Sequence, residues 1–291
     1  MIRFETIVPE TLDECMDALA ACGRGGALLA GGTDLHILME TGMRKPAIVI
    51  SIGRIGELRT LSDTGGEFHI GAAVTHAELA DSGLLEGLDC LRSAAGSIGS
   101  PQVRNVATVG GNIANASPAG DLFPPLLVMD AVVHTKSPGG ERRIRLEDLP
   151  KGPGMTGLLP DEVITHVRFS KPEGRFYSGF VKIGLRNAVA ISVASAAMFA
   201  TLGDGAFAEV RIACGAVAPR PIRLRQIESL LEGKRPSPEI VDEAAMLASE
   251  ECDPITDLRA TRAYRKHVNG VVVSRLVKDA WRHLTGVSET V

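Results

Sequence analysis

The sequence predicts an α+β protein of two domains, about residues 1–175 and 176–291, the first divisible into parts of about 1–56 and 57–175. Three observations carry this expectation. A chain of 291 residues has the length of roughly two domains and buries enough surface to need no disulfide or metal staple. The first 56 residues run strand, glycine-rich turn, helix and strand, a small βαβ-like unit. After SKPEGR at 170–175 the texture changes to new strands, a stretch of small residues and long helical segments.

In the first part, Thr11 opens TLDECMDALAAC with Glu14 three residues on, the spacing of a capping box. Leu12, Cys15, Met16, Ala18 and Leu19 then form an apolar stripe. ALLAGG at 27–32 predicts a buried strand ending in glycines. A helical or turn stretch passes through Leu38 and Met39 to a second strand, AIVISI at 47–52.

In the second part, FHIGAAV at 68–74 is a strand, Thr75 and Glu78 repeat the capping spacing, and 84–98 reads as helix. Residues 100–135 read as two apolar strands around a glycine- and asparagine-rich middle. ERRIRLEDL at 141–149 alternates and turns, KGPGMTGLLPDE at 151–162 is a loop, and ITHVRF at 164–169 is a strand. Beyond the junction, FYSGFVKIGLR and AEVRIACGAV read as strands flanking a small-residue helix at 190–200. PRPIRLRQIESLLEG and PSPEIVDEAAMLASEEC supply two helices, and a last helix covers roughly 259–284.

Composition narrows the function classes. Hydrophobic residues at 45% and charged residues at 23% exclude wholesale disorder. A net charge of -4 gives no expectation of a nucleic-acid footprint. The start, MIRFETIVPETLDEC, lacks the pattern of a secretory leader, and the most apolar later stretch, 188–200, is too short to span a bilayer. Five scattered cysteines, with no CxxC and no His/Cys cluster, predict no zinc or iron–sulfur centre and fit a reducing, cytoplasmic setting.

Two segments stand out, LLAGGTDL at 28–35 and TVGGN at 108–112 with NASPAGD at 115–121. Each puts adjacent glycines directly after apolar residues expected to be buried. Adjacent glycines permit positive φ and remove side chains that would block a close ligand. Successive backbone amides in such turns form an anion nest suited to a pyrophosphate. Thr33, Thr108, Asn112 and Ser117 add neutral donors, while Asp34 and Asp121 suit the holding of loop backbone or a reach to a ribose or flavin edge. Taken singly, a Gly-Gly pair is an ordinary tight turn. AGGTDL is not GxGxxG and no Walker motif is present, so these residues do not name the nucleotide.

The pairing of LLAGGTDL with QVRNVATVGGNIANASPAGD resembles the FAD-binding medium subunit of the molybdenum hydroxylases, in particular the xanthine and nicotinate dehydrogenase flavin subunits. KGPGMTGLLPDEVI, FVKIGLRNAVAIS and LRATRAYRKHV extend the resemblance over almost the whole chain. It implies a two-part FAD-binding domain of the PCMH/vanillyl-alcohol-oxidase type, followed by a smaller α+β domain of the carbon monoxide dehydrogenase flavoprotein type. It places Leu28, Leu29, Ala30, Gly31, Gly32, Thr33, Asp34 and Leu35 around the pyrophosphate. Ala107, Thr108, Gly110, Gly111 and Asn112 meet the cofactor from the other side, with Ser117 in the same region. Asp121 matches an acidic cofactor contact, Ile164 an apolar contact near the adenine, and Lys182 a lysine of the second domain that approaches FAD.

The resemblance implies no catalytic acid or base in this chain, since the flavin carries the redox chemistry. It also implies two partners, a small subunit with [2Fe-2S] clusters and a large molybdopterin subunit, assembled as a dimer of heterotrimers. Electrons would pass from the clusters to FAD and on to NAD+ or another acceptor, with xanthine or another N-heterocycle as the hydroxylated substrate. The cysteine-rich insertion that holds a four-iron cluster in 4-hydroxybenzoyl-CoA reductase has no counterpart here. Two other readings remain, an autonomous FAD-dependent oxidoreductase and a non-catalytic scaffold. A covalent tether and a substrate base would favour the first, and a colourless purified chain the second.

Overall fold

The computed structural model describes residues 3–286, so the outermost positions of both domain spans lie outside the described residues. The chain opens with β1 (Glu5–Ile7), α1 (Leu12–Cys22), β2 (Gly26–Leu29), α2 (Leu35–Glu40) and β3 (Ile48–Ser51). The three strands form a parallel sheet in the order β1-β3-β2. Thr11 caps α1 by accepting from the Glu14 amide, and the Glu14 carboxylate accepts from the Glu10 amide, one residue before the N-cap amide that a full box uses. Leu12, Cys15 and Leu19 bury against Ile50, Ile52, Ile55 and Leu58, a core that also takes in Ala73 and Val163.

The second part contains β4 (Leu61–Asp63), β5 (Glu67–Gly71), α3 (His76–Asp81), α4 (Asp89–Ser97), α5 (Pro101–Arg104), α6 (Val109–Asn115) and α7 (Phe123–Val128). It continues with β6 (Val132–Ser137), β7 (Gly140–Arg145), the short hairpin β8 (Pro150–Gly152) and β9 (Met155–Thr156), and β10 (Val163–Ser170). An antiparallel sheet runs β4-β5-β10-β6-β7. On its outer face His69, His166 and His134 stack, with ring centroids 4.1 and 4.2 Å apart. Its inner face packs on α4, α6 and α7 through Ile70, Val167, Leu91, Ile113 and Phe123.

Three expectations are corrected here. In place of the two apolar strands expected within 100–135 the chain forms three short helices, α5, α6 and α7, and only β6 at the end of that stretch is a strand. Ser100 caps α5 with Pro101 in the first turn, and Pro124 and Pro125 open α7, where proline's fixed φ and missing donor suit a helix start. The glycine pair of the second loop is itself helical, inside α6, whose cap is Thr108 accepting from the Gly111 amide. The helix expected over 84–98 is broken at Gly87, whose φ is +83°.

The C-terminal part contains β11 (Phe176–Ile183), β12 (Ala194–Gly203), β13 (Ala206–Gly215), β14 (Ile222–Arg223), α8 (Arg225–Leu231), α9 (Pro238–Glu250) and α10 (Arg262–Thr285). The strands form an antiparallel sheet in that order. The stretch 190–200, expected as a helix, instead enters β12, one of the two inner strands of the sheet. Its alternation decides this. Ala194, Ala196, Met198 and Ala200 face Leu276, Val273 and the rest of the helical layer, while Ala197 and Phe199 join the core of the preceding part. A strand covered on both faces needs small side chains, and tertiary packing overrides the helix propensity of alanine.

No helix among the described residues is long and apolar enough to cross a membrane.

Candidate functional site

The first glycine loop leaves β2 and enters α2. Leu28 and Leu29 pair with Ile50 and Ser51 of β3 and fix where the loop departs. Gly32 takes φ +74°, a left-handed conformation that glycine adopts without steric cost. Leu35 is the first residue of α2. Among the described residues, the backbone amides of Gly31, Gly32, Thr33 and Asp34 have no hydrogen-bond acceptor. Four successive free donors form the nest that an oxyanion would fill.

The second loop lies directly against the first. A β-carbon on Gly31 would overlap the Val106 carbonyl oxygen and sit 2.8 Å from the Ala107 nitrogen. Gly111 faces Ala30, whose Cβ is 4.0 Å from where a Gly111 Cβ would be. Asp34 does not cap α2. Its carboxylate instead accepts from Asn115 Nδ2 at 3.1 Å, a bond between the two loops, and more weakly from the Thr33 hydroxyl at 3.5 Å.

The backbone of the second loop, unlike the first, is spent on the scaffold. Thr75 and Thr108 form an isolated antiparallel bridge, through which the His76 amide donates to Ala107 and the Val109 amide to Val74. Gly110 donates to the Ala72 carbonyl, and a side chain there would meet the Ala72 Cβ at 2.6 Å. Among the described residues no partner reaches the buried Oδ1 of Asn112, which lies 3.3 Å from where a Gly120 Cβ would be. The Thr75–Glu78 capping box, with both arms formed, fixes α3 behind this loop.

A third cluster joins the loops to the C-terminal sheet. Lys182 Nζ donates to Asp121 Oδ2 at 2.6 Å and to the Ser97 carbonyl at 3.1 Å. Ser192 Oγ donates to the other Asp121 oxygen at 2.5 Å. The ion pair is buried, with side chains 12% and 6% exposed. Ser117 accepts from the Ala119 amide and shapes the turn that leads to Asp121. Among the described residues the ion-pair partner of Lys182 is Asp121, so both sequence-derived residues are engaged with each other.

Residues 2–172 match the family described as the FAD-binding domain in molybdopterin dehydrogenase, and residues 180–280 match the CO dehydrogenase flavoprotein C-terminal domain. The chain is a flavin-binding subunit of the molybdopterin dehydrogenase family. It is similar to the xanthine dehydrogenase FAD-binding subunit of Escherichia coli O157:H7, with 32% identity covering 87% of this chain and 88% of that protein. It is also similar to the nicotinate dehydrogenase FAD-subunit of Eubacterium barkeri, with 30% identity covering 98% and 99%. The solved carbon monoxide dehydrogenase of Hydrogenophaga pseudoflava superposes with a TM-score of 0.94 at 31% identity, covering 97% of this chain and 98% of that one.

For this flavin subunit the structure brings together most of the residues singled out in the sequence. The segments Ala30–Asp34 and Ala107–Asn112 meet, Ser117 and Asp121 lie on either side of Gly120, which closes on Asn112, and Lys182 joins them through its ion pair with Asp121. Ile164 stands apart. It lies in β10, 6% exposed, in the same core as Val109 and Ile113 beneath α6. Ser192 and the Val106 carbonyl give no signal of their own in the sequence, and Asn115 stands out there only as part of NASPAGD, because each acts through a contact distant in sequence. His36 is exposed and pairs with Glu40 on its own helix, and Cys214 is fully buried, its thiol pushed up by desolvation.

The residues present fit a dinucleotide cofactor. Free amides line one loop, a left-handed glycine shapes it, and the opposing loop carries no charged side chain between Ala107 and Asn112.

Proposed function

We propose that this subunit holds FAD between the two glycine loops and serves as the electron outlet of a complex with a small [2Fe-2S] subunit and a large molybdopterin subunit. The amides of Gly31, Gly32, Thr33 and Asp34 carry the reading: they are free donors in a loop pinned against a second glycine loop. They would bind the pyrophosphate, with Thr33 and Thr108 flanking it and Gly111 leaving room for the approach. Asp121 and Lys182 would close the cleft from the C-terminal side, and Ile164 would support the adenine end from beneath α6.

FAD, when bound, supplies the capacity to accept electrons singly and to release them as a pair. The chain's own task is binding, orientation and exclusion of water. No side chain of the site is assigned an acid or base role. Electrons would leave to NAD+ or another acceptor, and the substrate, xanthine or another N-heterocycle, would be chosen by the molybdopterin subunit. The relatives named for xanthine and nicotinate align over most of this chain and the carbon monoxide dehydrogenase shares its fold, which supports a flavin role independent of the substrate.

Co-expression with candidate [2Fe-2S] and molybdopterin subunits tests this. The expected result is a yellow-brown complex in which substrate bleaches flavin absorbance under anaerobic conditions and added NAD+ or a quinone analogue restores it. A colourless chain that takes up no FAD on reconstitution would refute the cofactor assignment. A flavin that turns over substrate without partners would favour the autonomous oxidoreductase.

A further inference from the structure

We infer that Arg265, in the first turn of α10, is a positioning residue for the flavin cleft. The inference rests on the reading that the 117–121 segment borders that cleft. Arg265 is buried, with its side chain 2% exposed. Nη1 donates to two carbonyls, Val193 at 2.7 Å and Ala216 at 2.9 Å, and Nη2 donates to Asp257 at 2.7 Å. Neither carbonyl is on its own helix. Val193 stands at the entrance to β12, and Ala216 lies just past the end of β13.

Each contact leads one step further, to the same loop. Next to Val193, Ser192 donates to Asp121, which holds Lys182. Ala216 donates its amide to the Pro118 carbonyl at 2.7 Å. One guanidinium therefore fixes two strand ends that grip Pro118 and Asp121 separately. Ala216 takes φ +63°, a conformation that alanine rarely adopts, and its two hydrogen bonds hold it there.

The fork geometry is what the task requires. Arginine presents parallel donors in a rigid plane, whereas a lysine at the same place is a flexible point charge unable to span both carbonyls and Asp257. Asp257 orients the guanidinium in turn and is itself held by the amides of Arg259 and Ala260.

The test uses Arg265→Lys in the full chain, with Arg223→Lys as comparison. Arg223 is equally buried in the same domain but bonds Glu228, Asp130 and the Leu127 carbonyl. Both variants should lose thermal stability. Only Arg265→Lys should weaken FAD binding, by about tenfold, and alter the visible circular dichroism of the bound flavin. Asp257→Asn, which keeps the buried arginine, should show the same spectral change in milder form and serves if Arg265→Lys does not fold. Unchanged FAD affinity and spectrum in the folded variants would overturn the positioning role. Gly111→Val separates the two readings. If it loses FAD while Arg265→Lys and Asp257→Asn bind normally, the cleft stands and the positioning role fails. If Gly111→Val retains FAD, the cleft itself is misplaced.

Discussion

The backbone of Gly31 lies in contact with the Val106 carbonyl, so the two glycine loops touch at a point where no side chain fits. Substituting alanine at residue 31 must push the loops apart. Overpacking of this kind costs about 1–3 kcal/mol. Gly31→Ala should therefore lower the Tm of the FAD-free chain and reduce FAD content together, as read by thermal unfolding and by flavin absorbance after purification.

Gly111 should behave differently. A β-carbon there meets the Thr108 hydroxyl at 3.0 Å and Ala30 only at 4.0 Å, so the protein has room for it after a small shift. The side chain would intrude on the cofactor side. Gly111→Val is expected to weaken FAD binding tenfold or more while the FAD-free chain keeps most of its Tm. Full flavin occupancy would contradict this.

The Lys182–Asp121 pair should be strongly coupled. Removing one partner of a buried pair typically costs about 3–5 kcal/mol, because the other charge is left unpaired. Lys182→Met and Asp121→Asn should each destabilise the chain, and the double variant should cost less than their sum. A double-mutant cycle by urea denaturation measures the coupling, and strict additivity would show that the pair does not interact.

Acid should weaken the fold in a defined window. Burial, aided by Arg104, lowers the His76 pKa to about 4, and burial with the stacked neighbours His69 and His134 lowers that of His166 to about 3. Both rings are neutral when folded, while the unfolded chain protonates near pH 6.5. Stability is then complete above that pH and falls as pH drops towards 4, because the unfolded state binds more protons. For His76 the loss approaches about 3 kcal/mol. Urea midpoints at pH 7.5, 5.5 and 4.5 should show the decline, and His76→Gln should flatten it.

Thiol reactivity follows from burial as well. Desolvation pushes the Cys15 thiol up to about 11 and that of Cys90 to about 12. Neither should be alkylated by iodoacetamide at pH 7.5 in the folded chain, and mass spectrometry after brief labelling checks this.

Legibility in the sequence followed the range of the interactions. The Thr75–Glu78 capping box, the strands around 27–32 and 47–52, and α8 to α10 were readable because their signals lie within a few residues. The strand Ala194–Gly203 was not, since its small side chains answer to two layers that only the tertiary structure supplies. The α6 glycines misled for a similar reason: Gly110 is required by Ala72, nearly forty positions earlier. At the site, the loop residues were legible from their glycines, whereas Ser192 and Arg265 do their work through bonds 71 and 72 positions long.

The four-stranded sheet has a consequence for how the subunit can be divided. It is a party wall, with Ala197 and Phe199 facing one room and Met198 and Ala200 the other. Severing the chain at residue 175 would strip the plaster from both sides, leaving each fragment with a bare oily surface in water. Two matched family regions thus stand or fall as one building, and neither half should be obtained alone without clumping.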